Sequence, residues 1–241
     1  MFNYCLAIPA RFNSSRLPGK PLLNIKGKKL IERVWLKCLK VVPHKRIFIL
    51  TDDKRIYKFC SLKKMNVIMT SKKNKTGTDR IYEFSKKYKF DCYINVQGDE
   101  PLINTNDIRK FIKIAKKNPD LVHNGMTKIK SKDDFFNHNI PKVVVNKRSE
   151  LLYMSRAPIP INKKGEHVKS FKQVCIYSFP KNKLNLFGKI KEKSKNENIE
   201  DIEILRFIDN EVKVKMIEFQ KSSIAVDTLS DLMKVRKIVR D

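Results

Sequence analysis

Tyr93-Ile94-Asn95-Val96-Gln97-Gly98-Asp99-Glu100-Pro101 begins as an apolar, β-branched run with the length of a buried strand and turns abruptly polar at Gln97. Gly98 lets the backbone turn, or approach a ligand, without a side chain in the way. Asp99 and Glu100 put carboxylates just past the strand's carboxyl end, the edge at which open α/β sheets collect ligands. A carboxylate there suits a hard cation such as Mg²⁺, which takes one or two carboxylates and fills its other positions with water and phosphate oxygens. The same residues would also serve as an acidic turn capping the next helix. The choice between the two rests on the rest of the chain.

Outward from that stretch, strands and helices alternate. Phe2 to Ile8 reads as a first strand ended by Pro9, and Lys29 to Lys40 as a helix with Leu30, Ile31, Val34, Trp35, Cys38 and Leu39 on one face. Arg46 to Leu50, a helix over Asp53 to Lys64, a short strand at Val67 to Met69, a helix entered near Thr78 and another over Thr105 to Lys117 complete the pattern. Such alternation implies a parallel, doubly wound α/β sheet. The loop after the first strand, Ala10-Arg11-Phe12-Asn13-Ser14-Ser15-Arg16-Leu17-Pro18-Gly19-Lys20-Pro21, packs cations, hydroxyls and a glycine between prolines. It reads either as a triphosphate cradle or as a solvated basic loop. It is not a Walker loop, because the G-x-x-x-x-G-K-[ST] spacing is absent. The polar stretch Thr70 to Arg80 enters its helix at Thr78, as an N-cap or as an anion site.

After Leu121 the pattern shifts to short strands, Lys142 to Val145, Leu151 to Met154 and Lys172 to Phe179, which should add antiparallel strands and a smaller lobe. Arg156 directly follows one of them, where a carboxylate-bearing substrate could meet it. Ile199 to Ile208 reads as a helix, with Glu197, Glu200 and Glu203 three apart on one face, ordinarily a solvated stripe. Ser222 to Val226 reads as a last strand with Asp227 at its end, before a helix from Thr228 to about Val239. Two carboxylates, Asp99 and Asp227, thus terminate apolar runs, and they could share one metal if their strands are neighbours.

Composition narrows the class. At 241 residues with 41% hydrophobic content the chain can bury one substantial core. It reads as a single domain, with strand and helix alternating up to about residue 120 and the later lobe able to carry a dimer contact. No apolar run approaches the roughly 18 residues of a membrane span, and the opening residues read as a strand, not a signal peptide, so a cytoplasmic location is expected. The five cysteines are scattered singly, arguing for reduced core thiols. The formal charge of +28 admits a nucleic-acid binder. Against that, 41 of the 53 cations are Lys, spread over the whole length without aromatic interleaving.

Pro9-Ala10-Arg11, Ser14-Ser15-Arg16-Leu17-Pro18-Gly19-Lys20-Pro21-Leu22, Gly77-Thr78-Asp79-Arg80, Asn95 to Pro101, Ser155-Arg156-Ala157 with Ile159-Pro160, and Val226-Asp227-Thr228 with Asp231-Leu232 occur in order along the chain. Together they closely resemble the bacterial 3-deoxy-manno-octulosonate (Kdo) cytidylyltransferases, or CMP-Kdo synthetases. The resemblance implies a Rossmann-like nucleotidyltransferase fold and usually a homodimer, with residues 1–120 mainly the CTP-binding half and 121–241 the sugar-acid-binding and dimerisation elements. It also implies CMP transfer from CTP to a 2-keto-3-deoxy sugar acid, with Mg²⁺ as cofactor, for lipopolysaccharide or capsule assembly. It places Ala10, Arg11, Ser14, Ser15, Lys20, Gly77, Thr78, Arg80 and Gln97 at the nucleotide, with Arg11 and Lys20 gripping the triphosphate. It places Gln97, Arg156, Gln173, Tyr177, Glu200 and Glu203 on the sugar-acid side, and Asp99 and Asp227 on the metal.

Two positions depart from the family pattern. Gln173 stands where many members carry His, in Lys172-Gln173-Val174-Cys175-Ile176-Tyr177, and Ile204 stands where they usually carry Gln. These departures leave the acceptor open among Kdo, an amino-substituted Kdo and a nonulosonate.

Overall fold

The computed structural model describes residues 2–13, 16–220 and 223–239; Ser14, Ser15 and Ser222 lie outside the described residues. The chain divides into two compact units, Met1–Lys117 with Ser223–Asp241, and Asn118–Ser222.

The first unit begins with β1 (Tyr4–Ala10) and a small antiparallel pair, β2 (Asn24–Ile25) and β3 (Lys28–Lys29). Then follow α1 (Leu30–Leu39), β4 (Ile47–Thr51), α2 (Lys54–Leu62), β5 (Val67–Met69), α3 (Gly77–Lys87), β6 (Cys92–Val96) and α4 (Thr105–Lys117). Its strands lie in the order β6-β1-β4-β5, all parallel, with Leu6 registered against Ile94 on one side and Ile47 on the other. Leu6, Ile8, Ile49 and Ile94 are fully buried, each burial contributing about 1.5–3 kcal/mol. The α1 stripe of Leu30, Ile31, Val34, Trp35 and Cys38 is buried as expected, but Leu39 faces outward.

Strand β1 runs through Pro9 to Ala10, beyond the expected end at Ile8. Its pairing with β6 stops at Ala7 while β4 continues to Ala10. From Ile8 onward the strand therefore has one ladder fewer to feed, and a residue without an N–H is tolerated.

The second unit contains β7 (Val122–Lys128), α5 (Lys132–Phe136), β8 (Lys142–Val145), β9 (Leu151–Ser155) and β10 (Phe171–Pro180). Helices α6 (Lys181–Lys189), α7 (Lys195–Glu200) and α8 (Leu205–Ile208) lead to β11 (Val214–Phe219). Its strand order is β11-β7-β10-β8-β9, with β11 and β7 parallel and the other pairs antiparallel. Strands β7 and β11 and helix α6 were not anticipated. A β-carbon on Gly125 of β7 would stand 2.7 Å from the Phe219 ring and 2.9 Å from Ile176, so this strand needs a glycine in mid-run where a strand ordinarily avoids one.

The single helix expected over Ile199 to Ile208 is two short ones, broken where Asp201 adopts φ 51°. Nor is the glutamate stripe solvated. Glu197 is fully buried in a two-point ion pair with Arg206, at 2.6 and 2.7 Å. Helix α9 (Leu229–Ile238) then belongs to the first unit again. No strand precedes it among the described residues 223–226; the backbone there makes one bond to the β6 loop, Val226 N–H to the Asp99 carbonyl at 2.8 Å. No helix among the described residues is long and apolar enough to cross a membrane.

Candidate active site

The loop after β6 lies hard against the end of β1. A β-carbon at Gly98 would stand 2.7 Å from the Pro9 carbonyl oxygen, a contact that backbone cannot relieve cheaply, so the close approach requires glycine. Asp99 therefore emerges beside the loop that follows β1. That loop closes through Gly19 N–H to the Phe12 carbonyl at 2.9 Å. Gly19 takes φ 68°, and a β-carbon there would meet the Phe12 ring at 3.0 Å. Lys20 starts the short 3-10 turn Lys20–Leu22, stiffened by Pro21.

From this anchor the Lys20 side chain reaches Asp99 Oδ2 at 2.8 Å and Asp227 Oδ1 at 2.9 Å. The Arg16 guanidinium lies 3.3 Å from the other Asp227 oxygen. Burial pulls the Lys20 pKa down, but the charges of Asp99 and then Asp227, with the hydrogen bonds they accept, outweigh it and raise the pKa above the ordinary lysine value. The lysine is therefore charged throughout the neutral range.

Asp227 is held by its own chain as well. Thr228 caps α9, and Asp231 accepts from Asp227 N–H at 3.2 Å, Thr228 N–H at 2.9 Å and the Thr228 hydroxyl at 2.7 Å. Two carboxylates distant in sequence thus share one cation, although the segment before Asp227 is not the expected strand. Each offers one carboxylate oxygen to the same ammonium nitrogen. Among the described residues no group of three or more His, Cys, Asp or Glu side chains is placed to hold a metal. A pair of carboxylates, with remaining positions left to water and phosphate oxygens, fits Mg²⁺ rather than a closed zinc site.

Other nucleotide-side residues are placed differently. Ala10 is buried at the end of β1, and Arg11 is exposed just beyond it. The α3 cap is Thr76, not Thr78: the Thr76 hydroxyl accepts from Asp79 N–H at 3.1 Å while Asp79 accepts from Thr76 N–H at 2.9 Å. Gly77 is the first helical residue, and a β-carbon on it would stand 3.3 Å from Gln97 Nε2 and 3.5 Å from Pro9. Gly77 and Gln97 therefore meet where β1, β6 and α3 converge. Thr78 is fully buried. Arg80 is 2% exposed and turns inward, donating to the Thr70 hydroxyl and to Asp52 at 2.9 Å.

In the second unit, the Gln173 amide donates to Asn124 Oδ1 at 3.0 Å and to the Tyr177 hydroxyl at 3.1 Å, so these side chains form one neutral cluster. Arg156 is not held out as an open fork: Nε, Nη1 and Nη2 donate to the carbonyls of Glu200, His138 and Asp201. Glu200 in turn accepts from the Ser155 hydroxyl at 2.5 Å and Arg156 N–H at 2.8 Å, while Glu203 is half-buried. Asn124 was missed by sequence reasoning, and Asp231 was quoted there without a role. Asn124 lies in the unread strand β7, whereas the spacing Thr228-x-x-Asp231 carried a capping signal that could have been read.

A carboxylate pair and a lysine gathered past the carboxyl ends of parallel strands, beside a basic loop, define a nucleotidyltransferase. The cytidylyltransferase family model matches residues 6–217. The chain is 35% identical over 234 residues to the 3-deoxy-manno-octulosonate cytidylyltransferase of Escherichia coli, covering 97% of this chain and 95% of that one. It is 37% identical over 236 residues to the protein of the same name from Fusobacterium nucleatum, covering 97% and 96%. It matches the structure of CMP:2-keto-3-deoxy-manno-octonic acid synthetase complexed with CTP at a TM-score of 0.90, with 35% identity over 98% of both chains. The chain belongs to the 3-deoxy-manno-octulosonate cytidylyltransferase family.

Proposed function

We propose that this chain transfers the CMP group of CTP to the anomeric 2-hydroxyl of Kdo, releasing pyrophosphate, and that the reaction depends on Mg²⁺ held by Asp99 and Asp227. The observation that carries the metal site is the shared cation: Lys20 bridges both carboxylates at 2.8 and 2.9 Å. Family membership supports the substrates. A homodimer, a cytoplasmic location and use of the product in lipopolysaccharide or capsule assembly belong to the same reading.

The sugar hydroxyl attacks the α-phosphorus in line with departing pyrophosphate, so positioning and charge neutralisation dominate the barrier. Lys20, Arg11 and Arg16 neutralise the triphosphate from the loop after β1. Gln97 lies against the α3 start and orients the nucleotide. Gln173 and Tyr177 supply neutral hydrogen-bonding groups to the hydroxylated acceptor, and Arg156 fixes the Glu200 segment. The chemistry a bound Mg²⁺ supplies is charge neutralisation at the α-phosphate and a lowered pKa for the attacking hydroxyl.

A coupled pyrophosphate assay tests this reading. Release is expected only when CTP, Mg²⁺ and Kdo are all present. Turnover with an amino-substituted Kdo or a nonulosonate in place of Kdo would reassign the acceptor. Silence with every sugar acid, together with nucleic-acid retention that falls steeply with salt, would instead identify a basic binding protein without catalysis.

A further inference from the structure

Lys20 serves two anions that compete for it. Its ammonium lies between Asp99 and Asp227 at hydrogen-bonding distance from both, yet it also belongs to the loop that meets the triphosphate. An ammonium and a divalent ion cannot occupy the same gap, because a metal ligated by those oxygens at about 2.1 Å would sit within contact distance of the nitrogen, where like charges repel.

The carboxylates do not need the lysine to stay together. Val226 N–H holds the Asp99 carbonyl at 2.8 Å, and the Asp231 carboxylate holds the Asp227 backbone. The lysine backbone is likewise fixed, by Gly19 in a left-handed turn and by Pro21. The side chain is a four-carbon stem with a point charge, which can change partners without a fixed geometry.

We propose that Lys20 is an exchangeable counter-ion. In the unliganded enzyme it holds the carboxylate pair and excludes divalent cations from it. The anionic triphosphate then takes the ammonium in exchange and opens the pair to metal, so that nucleotide and metal bind with positive coupling. No covalent step is involved. The inference rests on the metal reading above but makes a separate demand: without nucleotide, the intact lysine must weaken metal binding.

The test is Mn²⁺ binding to nucleotide-free protein, followed by the loss of the free-ion electron paramagnetic resonance signal, with folding checked by circular dichroism. Lys20→Met should bind Mn²⁺ about tenfold to hundredfold more tightly than the unaltered chain, the range expected when a charge-assisted contact no longer competes. Lys20→Gln should behave as Lys20→Met does, and it serves as the neutral variant if the methionine form does not fold. Lys20→Arg, which keeps the charge, should stay weak. Adding Asp99→Asn to Lys20→Met should erase the gain. If the neutral variants bind Mn²⁺ no better than the unaltered chain, the exchange is wrong while the metal site can still stand. If the gain survives Asp99→Asn, the ion is elsewhere and both readings fall.

Discussion

Asp99 and Asp227 are the side chains whose charge, rather than shape, carries the proposed chemistry. Asparagine preserves their volume and leaves the backbone bond from Val226 to Asp99 intact. Asp99→Asn and Asp227→Asn are each expected to lower turnover by about a hundredfold to thousandfold or more, with circular dichroism and melting temperature near those of the unaltered chain. Near-normal pyrophosphate release in either variant would remove that residue from the metal site. A second titratable group acts on stability instead. His123 is fully buried with Nδ1 2.8 Å from the Ser178 hydroxyl. Burial, and then the charge of Lys215, push its pKa from 6.5 down to about 4. The unfolded chain therefore binds the extra proton between those values, so stability is complete above pH 6.5 and declines as pH falls toward 4. The loss amounts to about 3 kcal/mol, and His123→Asn should flatten the decline in urea denaturation measured across that window. At this scale sequence reading located Asp99, Asp227 and Lys20, because acids after apolar runs and cations between prolines are local features. It did not reveal that Arg80 is buried against Asp52 or that Arg156 is held by backbone carbonyls such as that of Glu200, because those partners are set by packing.

Among the elements, α9 positions the site although it contributes no side chain to the cation cluster. Its capping box is the same carboxylate that receives Asp227 N–H, so helix initiation and the placement of Asp227, the proposed metal ligand, are one structural event. Asp231→Ala should cost about 1 kcal/mol of stability through the lost cap. It should also depress kcat at saturating CTP by more than a matched cap deletion does at α2, where Asp53 receives Arg55 N–H. Equal effects of the two deletions on kcat would leave Asp231 a cap and nothing more. The alternating strands and helices of the first unit were legible because each strand is a short apolar run and each helix carries a 3.6-residue stripe. The elements that escaped notice have identifiable causes. Strand β7 is buried at every residue but its last, so His123, Asn124 and Thr127 face no solvent and the polar-apolar alternation disappears. The break between α7 and α8 depends on a left-handed Asp201, which no periodicity announces. Strand β11, by contrast, carried a usable signal in its short apolar run of Val214, Met216, Ile217 and Phe219, all of which are buried.

For the molecule as a whole, the charge of +28 is a property of the surface field more than of any contact. Most of the cations are lysines distributed along the chain, so they raise the local concentration of anions generally and specify none. CTP carries several negative charges and should be steered by that field, whereas the chemical step depends on the half-buried cluster around Lys20, which salt screens less. The two kinetic constants should therefore separate. Raising ionic strength from about 0.05 M to about 0.5 M shrinks the screening length from well above 10 Å to a few ångströms. KM for CTP is expected to rise several-fold over that range while kcat changes by less than about twofold. Retention on duplex DNA, if present at the low end, should vanish at the high end without affecting kcat, because it draws on phosphate neutralisation alone. A KM that stays flat across the series would mean that CTP is held by the loop after β1 and its neighbours with no help from the wider field, and the charge would then have no part in substrate capture.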